Sequence, residues 1–413
     1  MNKILRLSAR NVTRYWRRSL LTSSLIVLGM VAVLSFVAVS ASFKNIMIGQ
    51  ITDSMLGHLQ VHKRGYVASL ENLPLNLNLA PKQLQEVEQV LAGMDEVAAV
   101  TPRLKFGAMF SNFVETTSIR LNGVLPEREM AAMPLLAGRM VEGETAGLLA
   151  PGELLIPQLL ARGMKVEVGD TVVLVATNVD GSVNGRTFVV RGILEAVTGP
   201  GGRDGYLHMD DARELLRLEQ AEINEIALRL HEPERLELVK TRLEQALATM
   251  RTPAGMSLLE VHGWDQLAPF ANIVRMIDLL DLFIRVMLVG IVLIAVMNVM
   301  LMAVYERVRE IGTIAAMGTQ PGRIMMLFVG EGVLLAVIGT VVGTLISLTI
   351  VQALNIWQVS FAFGRQHVVL APSLAPGEIF AIGAIVILVA AVASLQPAWK
   401  AARMDPITAL RHT

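Results

Sequence analysis

The stretch Tyr305–Arg323 reads YERVREIGTIAAMGTQPGR and lies between two long apolar runs, Val286–Val304 and Ile324–Val351. Each run is long enough to cross a hydrocarbon core, which takes roughly 20 residues. The stretch itself carries four closely spaced charges, at Glu306, Arg307, Arg309 and Glu310. Because charged side chains are costly in lipid, the stretch is predicted to be an aqueous segment that joins two membrane spans.

The apolar residues of this segment are spaced as in an amphipathic helix. They are Val308, Ile311, Ile314 and Ala315, and the pattern ends at Gly318 with Pro321-Gly322 behind it. Such spacing predicts a short helix with one apolar face. A helix of this kind could bind a partner, or it could simply keep the two spans apart, and the residues alone leave both interpretations open.

Composition indicates a membrane protein with aqueous parts. Of 413 residues, 53% are hydrophobic and 17% are charged, which is too apolar for an ordinary soluble protein. The formal net charge of zero gives no argument for nucleic-acid binding. The absence of cysteine excludes disulfides, thiol catalysis and cysteine metal sites within this sequence.

Two further apolar runs complete a prediction of four spans. Ser19–Phe43 follows the basic residues 1–18 and is too long for the core of a cleaved signal peptide, so we expect an uncleaved anchor. Pro376–Leu395 is the fourth run. Lysines and arginines cluster at the amino end, after the second span and after the fourth, which predicts that both termini are cytoplasmic.

Between the first and second spans lies a long region without any apolar run. It reads strand, helix, strand at its beginning (His58–Arg64, Pro81–Met94, Val97–Thr101) and again at its end (Glu222–Leu230, Pro233–Met250, Ser257–Val261). The middle, at about 103–217, is richer in strand signals. We therefore predict a large extracytoplasmic α+β domain that carries a β-rich insert.

A few polar residues and glycines inside the spans need an explanation. For Asn298 we expect an interhelical hydrogen bond in preference to a transport role. Glu331 is either functional or paired with the basic end of its own span, where Arg323 lies. The motif Gly339-x-x-x-Gly343 predicts close helix packing, and we expect it at a dimer interface. At the start of the second span, Asp281 and Arg285 have the spacing of an ion pair.

Three stretches resemble one family. ERVREIGTIAAMG, followed by LFVGEGVLLAVIGTVVG, closely resembles the segment after the second span of FtsX/MacB-type ABC permeases. NVTRYWRRSLLTSSL near the amino end and PAWKAARMDPITALR near the carboxy end are similar to the family's terminal motifs. In that family the segment after the second span is a coupling helix that touches the ATP-binding subunit. The resemblance thus implies ATPase coupling by Glu306, Arg307, Arg309, Glu310, Ile311, Gly312 and Gly318, with Ile311 as an apolar knob, and a tail shaped by Pro397, Asp405 and Pro406.

The residue patterns and the resemblance together predict an arrangement along the chain. In order, the expected segments are a cytoplasmic amphipathic basic helix (1–18), transmembrane helix 1 (19–43), a periplasmic α+β domain (44–277) with its insert at about 103–217, the stalk end and transmembrane helix 2 (278–304), the coupling helix (305–323), transmembrane helix 3 (324–351), a short outer loop (352–375), transmembrane helix 4 (376–396) and a cytoplasmic tail (397–413). The implied location is the bacterial inner membrane.

The function implied by the family is mechanotransmission. Two permease subunits, identical or homologous, would lie side by side among membrane lipids. A dimer of ATPase subunits, which binds the ATP and Mg, would push their coupling helices and so move their outer domains. The layout is closest to the lipoprotein-releasing LolC/LolE-like permeases, so lipoprotein or lipid extraction is the first expectation. The alternatives are export of a drug, peptide or toxin through a periplasmic adaptor and outer-membrane channel, and FtsX-like regulation of a cell-wall hydrolase.

Motifs for catalysis are lacking in this sequence. No G-x-x-x-x-G-K-[ST], H-E-x-x-H or G-x-S-x-G occurs. His58 and His62 could share one side of a strand but have no evident further ligands, so a metal site is not expected there. The chain is predicted to be a transporter subunit with no catalytic residues, no metal and no cofactor of its own.

Overall fold

The computed structural model describes residues 10, 13–14, 16–144, 147–195, 204–251, 255–267, 270–363 and 366–404. Most of the predicted basic helix at 1–18 lies outside these residues, although Arg10, Thr13 and Arg14 are helical. The chain divides into two compact units. One, the helical unit, comprises Met1–Asn45, Met276–Phe361 and Val368–Thr413; the other, the α+β domain, comprises Ile46–Arg275 with Ala362–His367.

The helices, numbered along the described chain, are α1 (Trp16–Ile51), α2 (Pro81–Ala92), α3 (Pro126–Ala132), α4 (Gln158–Met164), α5 (Met209–Leu215), α6 (Leu236–Leu247), α7 (Phe270–Glu306), α8 (Val308–Ala316), α9 (Pro321–Trp357) and α10 (Pro376–Ala402). The strands are β1 (Leu59–Lys63), β2 (Val97–Ser111), β3 (Thr116–Val124), β4 (Met140–Gly143), β5 (Glu153–Pro157), β6 (Thr171–Thr177), β7 (Val183–Leu194), β8 (Asp204–His208), β9 (Glu225–Leu230), β10 (Leu259–Gly263), β11 (Ser360–Phe363) and β12 (Gln366–Val369).

Four of the described helices are long and apolar enough to cross a membrane, and their number agrees with the four predicted spans. They lie within Ser19–Leu56, Asn272–Glu306, Pro321–Trp357 and Pro376–Ala402, with mean hydropathies of 2.4–2.7. Each is longer than its predicted span, because the apolar pattern marks the part suited to lipid while the helix continues into more polar sequence. Which side of the membrane each end faces stays a prediction.

The four helices of the helical unit surround a common apolar core. Its members include Ile26, Met30, Val292, Leu335 and Val386. Asp281 Oδ2 and Arg285 Nε, one turn apart on α7, lie 2.6 Å apart, which confirms the predicted ion pair. The predicted outer loop at 352–375 contains the hairpin of β11 and β12.

The α+β domain is built on two strand-helix-strand units, as the sequence predicts. These units are β1-α2-β2 and β9-α6-β10. Their strands lie side by side in the order β10-β1-β9-β2, and each neighbouring pair is antiparallel. The two helices contact each other. This is the β-α-β-β-α-β arrangement of ferredoxin-like domains.

The predicted insert at about 103–217 needs a correction, because it is not a separate β subdomain. Its predicted boundary falls inside β2, whose first part pairs with β9 and whose second part pairs with β3 and β6. Leu104, Phe106 and Phe110 are buried in the core at alternating positions of this strand. β2 therefore belongs on both sides of the predicted boundary to one ten-stranded sheet. The insert also contributes α3, α4 and α5.

Candidate functional site

The predicted coupling segment begins at a single non-helical residue. α7 ends at Glu306 and α8 starts at Val308, and between them Arg307 has φ −112° and ψ 20°. The Arg307 amide still donates to the Val304 carbonyl at 3.2 Å, and the Arg307 carbonyl accepts from the Ile311 amide at 3.0 Å. The chain therefore changes direction between two helices at Arg307 without losing these backbone hydrogen bonds.

The end of α8 is set by Gly318, as predicted. Its φ of +82° is in the left-handed region, and its amide donates to the Ala315 carbonyl at 2.9 Å. A Cβ at this position would have no atom within 4 Å. Glycine is required here by the backbone conformation and not by space, which is typical of a helix C-terminal cap. Pro321, three residues after Gly318, is the first residue of α9.

Arg307 lies under α8 and is almost completely buried. Its Nη1 is 3.1 Å from Glu331 Oε2 on α9, and its Nε is 2.9 Å from Glu310 Oε2 on α8. Its guanidinium lies 5.5 Å from the ring centre of Phe328, within cation–π range. The prediction that Arg307 is a surface contact is therefore wrong: it is the centre of an internal polar link.

Glu331 has no exposed surface. From the sequence, it is expected either to be functional or to pair with a basic residue. Pairing with a basic residue is confirmed, but the partner is Arg307 and not Arg323. Arg323 lies exposed at the beginning of α9. Since Arg323 and Glu331 are eight residues apart on one helix, about 12 Å separates them along its axis.

The apolar face of α8 packs against the chain's own helices. Ile311 is only 3% exposed. It belongs to a cluster with Val304, Ile324, Phe328, Ala398 and Ala401. Gly312 is buried as well. The expectation that Ile311 is a knob for a partner is corrected accordingly, because an amphipathic helix buries its apolar face wherever a complementary surface is available.

What α8 and its flanks leave exposed is a narrow surface, which we call the α8 outer face. Its members are Tyr305, Glu306, Arg309, Thr313, Ala316 and Met317. Of the predicted coupling residues, Glu306 and Arg309 are on this face and Glu310 is partly exposed beside it. Sequence reasoning missed Met317, which is 73% exposed, because it lies one residue beyond the helix.

Asn298 does not make the hydrogen bond expected of it. Its side chain is exposed on α7, and in the described part of the chain no hydrogen-bond partner for it is found. The glycine motif is confirmed as a packing motif, but its partner is α1 of the same chain and not a dimer mate. A Cβ on Gly339 would lie 2.7 Å from Ile26 Cγ2, and one on Gly343 would lie 2.7 Å from Met30 Cβ.

The carboxy-terminal prediction is changed in part. Pro397 lies inside α10 and is buried, so it belongs to the fourth long helix and not to a tail. Its neighbours Ala398 and Ala401 pack in the cluster around Ile311. Asp405 and Pro406 lie outside the described residues.

In the α+β domain, His58 and His62 are engaged in structural contacts. His58 Nδ1 accepts a hydrogen bond of 2.9 Å from the Leu230 amide, and His62 Nε2 is 3.2 Å from Glu225 Oε2. Among the described residues no group of three or more metal-binding side chains occurs.

Sequence reasoning missed a buried ionic cluster in this domain. Arg103, which is 1% exposed, contacts Glu129 at 2.6 Å and Glu225 at 2.9 Å. Lys105 Nζ lies 2.6 Å from Glu225 as well. Burial alone would raise the pKa of Glu225, but Lys105, the His62 hydrogen bond and Arg103 outweigh it and hold that pKa well below its usual value.

Comparison with known families accounts for both units. Residues 19–246 match the profile of the MacB-like periplasmic core domain, and residues 282–406 match that of the FtsX-like permease C-terminal domain. The chain belongs to the FtsX/MacB-type ABC permease family. It is therefore an ABC transporter permease of the MacB/FtsX type, and permeases of this type work with ABC ATPase partners.

Curated relatives of this FtsX/MacB-type permease are export proteins. It is 38% identical over 117 residues to the pyoverdine export ATP-binding/permease protein PvdT of Pseudomonas aeruginosa. It is also 38% identical over 119 residues to the macrolide export ATP-binding/permease protein MacB of Nitrosomonas europaea. Each match covers 28% of this chain and 16% of the relative, so most of each relative is outside the comparison.

Solved structures give only distant likenesses to the permease. The periplasmic region of MacB from Actinobacillus actinomycetemcomitans aligns with 52% of this chain and 92% of its own, at a TM-score of 0.36 and 11% identity. The extracellular domain of the Gram-positive transporter YknZ aligns with 50% of this chain and 99% of its own, at a TM-score of 0.34 and 15% identity.

Proposed function

We propose that this permease transmits ATP-driven movement from a separate ABC ATPase through α8. The observation that supports it most is the buried contact of Arg307 with Glu331, which ties α8 to a membrane helix. ATP and Mg would be bound and used by the ATPase partner. In this proposal the chain supplies the mechanical connection and no catalytic group.

The packing around α8 suits transmission of a push. One residue, Arg307, connects α8 to α7, and the cluster around Ile311 joins it to α9 and α10. Packed interiors have low compressibility and transmit strain. A force on the α8 outer face would therefore displace the ends of three long helices together. A flexible loop at this position would instead deform and transmit little of the force.

The α8 outer face offers the chemistry that an ATPase surface would contact. Glu306 and Arg309 present opposite charges, and Met317 adds an adaptable apolar group. We assign the polar contacts to Glu306 and Arg309. Two permease subunits, identical or homologous, would each present one such face to an ATPase dimer, and the movement would end in the α+β domain on the other side of the membrane.

For the cargo, we propose export of a drug, peptide or toxin. The support is that the relatives are named for pyoverdine and macrolide export. Lipoprotein or lipid extraction is the second candidate, favoured by the large α+β domain between the first two spans. FtsX-like control of a cell-wall hydrolase has less support, because residues 19–246 match a MacB-like domain.

The coupling proposal is tested by reversing a charge on the α8 outer face. Arg309→Glu should reduce co-purification of the ATPase and its stimulation by the permease, while the thermal midpoint stays within about 2 °C of wild type, as for other surface substitutions. Arg235→Glu, in the α+β domain, is the matched control, because Arg235 is exposed like Arg309 and pairs with the exposed Glu232. Unchanged association of Arg309→Glu would refute the assignment of this face.

The cargo proposal is tested by gentle purification from native membranes followed by mass spectrometry. An ATPase with a periplasmic adaptor would support export. An ATPase with acylated lipoproteins would support extraction instead, and one with a cell-wall hydrolase would support regulation. Absence of any ATPase under all conditions would overturn the coupling proposal itself.

A further inference from the structure

The α+β domain contains a cavity of about 610 Å³ that the proposed coupling does not use. It is partly open to solvent, and binding sites for small molecules are clefts that span roughly 300–1,000 Å³. The volume is therefore within the range of a ligand site, and all of its described lining residues belong to this one domain.

One wall of the cavity is apolar. It is formed mainly by Leu56, Val67, Leu70, Leu73, Leu267 and Phe270. Val67–Asn72 is a short 3₁₀ turn, and Leu73 behind it has φ 46°, in the left-handed region. A bulky side chain seldom adopts this conformation, which costs roughly 1–3 kcal/mol and is typical of binding and active sites. The turn thus holds leucine side chains at the cavity at some cost in stability.

The rest of the lining, which we call the polar wall, is polar and charged, and its charges are paired. Arg103 contacts Glu129 and Glu225, Lys105 contacts Glu225 at 2.6 Å, and Arg120 Nε lies 2.8 Å from Asp204 Oδ1. Glu225 and Asp204 line the cavity beside the three cations, and the third carboxylate, Glu129, is fully buried and paired with Arg103. The cluster as a whole therefore has no net charge to be neutralised by a ligand. A charged ligand would lose its hydration without a matching opposite charge, which is costly.

Tyr206 gives this wall a directional group. The residue is 2% exposed and lines the cavity, yet among the described residues its hydroxyl has no hydrogen-bond partner. Buried tyrosine hydroxyls usually find one. Burial raises the pKa of Tyr206 to about 12, so the hydroxyl stays protonated at neutral pH and can donate.

We propose that this cavity binds an amphiphile with an uncharged polar head, whose apolar part contacts the leucine wall and whose head accepts a hydrogen bond from Tyr206. Monoacylglycerol-like and alkyl-glycoside-like molecules have this chemistry. The site lies inside the domain and does not depend on an ATPase, so it stands or falls independently of the proposed coupling.

Cysteine protection in the full chain tests the proposal, because the sequence has no cysteine of its own. Leu70→Cys places one thiol on the apolar wall. The permease is reconstituted in lipid nanodiscs, and alkylation by N-ethylmaleimide is followed by intact mass spectrometry. Monodecanoylglycerol should slow alkylation roughly tenfold when its concentration is ten times its dissociation constant. Decanoate and decyltrimethylammonium, with the same chain length and charged heads, should protect less.

Two variants keep the test specific. Ala92→Cys, at the exposed end of α2, should be alkylated at the same rate with and without each probe. Tyr206→Phe in the Leu70→Cys background should weaken monodecanoylglycerol binding about fivefold, the loss expected for one hydrogen bond. If Leu70→Cys does not fold, Ala68→Cys reports from an exposed lining position instead.

The outcomes separate clearly. Protection of the lining cysteine but not of Ala92→Cys, together with the Tyr206→Phe effect, supports the site. No protection, or equal protection of Ala92→Cys, overturns it. Stronger protection by either charged probe refutes the uncharged head, and an unchanged affinity of Tyr206→Phe refutes the role of its hydroxyl.

Discussion

Arg307 Nη1 and Glu331 Oε2 lie 3.1 Å apart, although the two residues are 24 positions apart in the chain. Both side chains are almost completely buried, at 7% and 0% exposure. A buried ion pair of this kind adds little net stability, since desolvation offsets most of the attraction, but loss of one partner leaves an uncompensated charge. The pair therefore fixes where α8 lies against α9.

We predict a strong non-additivity between these two residues. Arg307→Met alone should lower the free energy of unfolding by about 3–5 kcal/mol, because it removes the cation beside the fully buried Glu331. Glu331→Leu alone should cost less, because Arg307 keeps its contact with Glu310. The double variant should lose much less than the sum of the single effects. Thermal melts of the purified permease, arranged as a double-mutant cycle, measure the difference.

Arg309→Met is the control for this cycle. Arg309 carries the same charge two residues further along but is exposed, so its replacement should change stability by less than about 0.5 kcal/mol. A double variant as unstable as the two single effects added together would contradict the pairing.

The glycines of α9 should be intolerant of even one added methyl group. In Gly343→Ala the new Cβ would lie 2.7 Å from Met30 Cβ and 3.1 Å from the Val27 carbonyl oxygen on α1. Relief of this overlap requires the helices to move apart, at a cost of about 1–3 kcal/mol. A lower melting temperature of the variant permease checks this.

Gly290→Ala on α7 is the matched control, and its expected sign is opposite. No atom lies within 4 Å of a Cβ built there, and alanine is favoured over glycine inside a helix by roughly 1 kcal/mol. Equal destabilisation by Gly290→Ala and Gly343→Ala would show that helix contact at the motif is not the cause.

Local patterns gave the helices and the strand-helix-strand units, because period and apolar length are properties of neighbouring residues. They could not give the continuation of β2 into the insert. That continuation depends on pairing with β9 at one end and with β3 and β6 at the other. The residues of a single strand do not show which distant strands it pairs with.

The candidate site shows the same limit. For Glu331 in an apolar run, the sequence leaves open a functional role and pairing with a basic residue. The choice of Arg307 over Arg323 follows from the way α8 folds back, which no spacing reveals. Likewise, the apolar face of α8 was predictable, but whether Ile311 contacts a partner or the chain's own core was not.

Gly318 should be required for its backbone conformation. Gly318→Ala forces a Cβ into the left-handed region and should cost about 1 kcal/mol, whereas Gly318→Asn should cost less because asparagine tolerates this region better. Gly322→Ala, at an uncrowded position with ordinary φ, should be close to neutral. Thermal melts of the three variants give the ranking, and equal effects of alanine at 318 and 322 would contradict it.

The stability of the α+β domain should fall in mildly acidic solution because of His58. Burial lowers the pKa of His58, opposed by the Asp53 carboxylate, whose Oδ1 lies 3.7 Å from Nε2. Arg229 lowers this pKa further and Glu234 raises it. Unfolded histidine has a pKa of about 6.5, so below that pH the unfolded chain binds a proton that folded His58 does not. Stability is therefore lost as the pH falls from about 6.5 towards the folded-state pKa.

His58→Asn isolates this contribution, since an asparagine oxygen can still accept from the Leu230 amide but does not titrate. Melts of the full permease between about pH 7.5 and 5.5 should show a shallower decline for the variant, the difference being at most about 1.4 kcal/mol per pH unit for one proton. Part of the decline should remain, because burial, followed by the influence of His62, also lowers the pKa of His262. Superimposable profiles for wild type and His58→Asn would mean that His58 is protonated in the folded domain, and the hydrogen bond from Leu230 would then have to be reassigned.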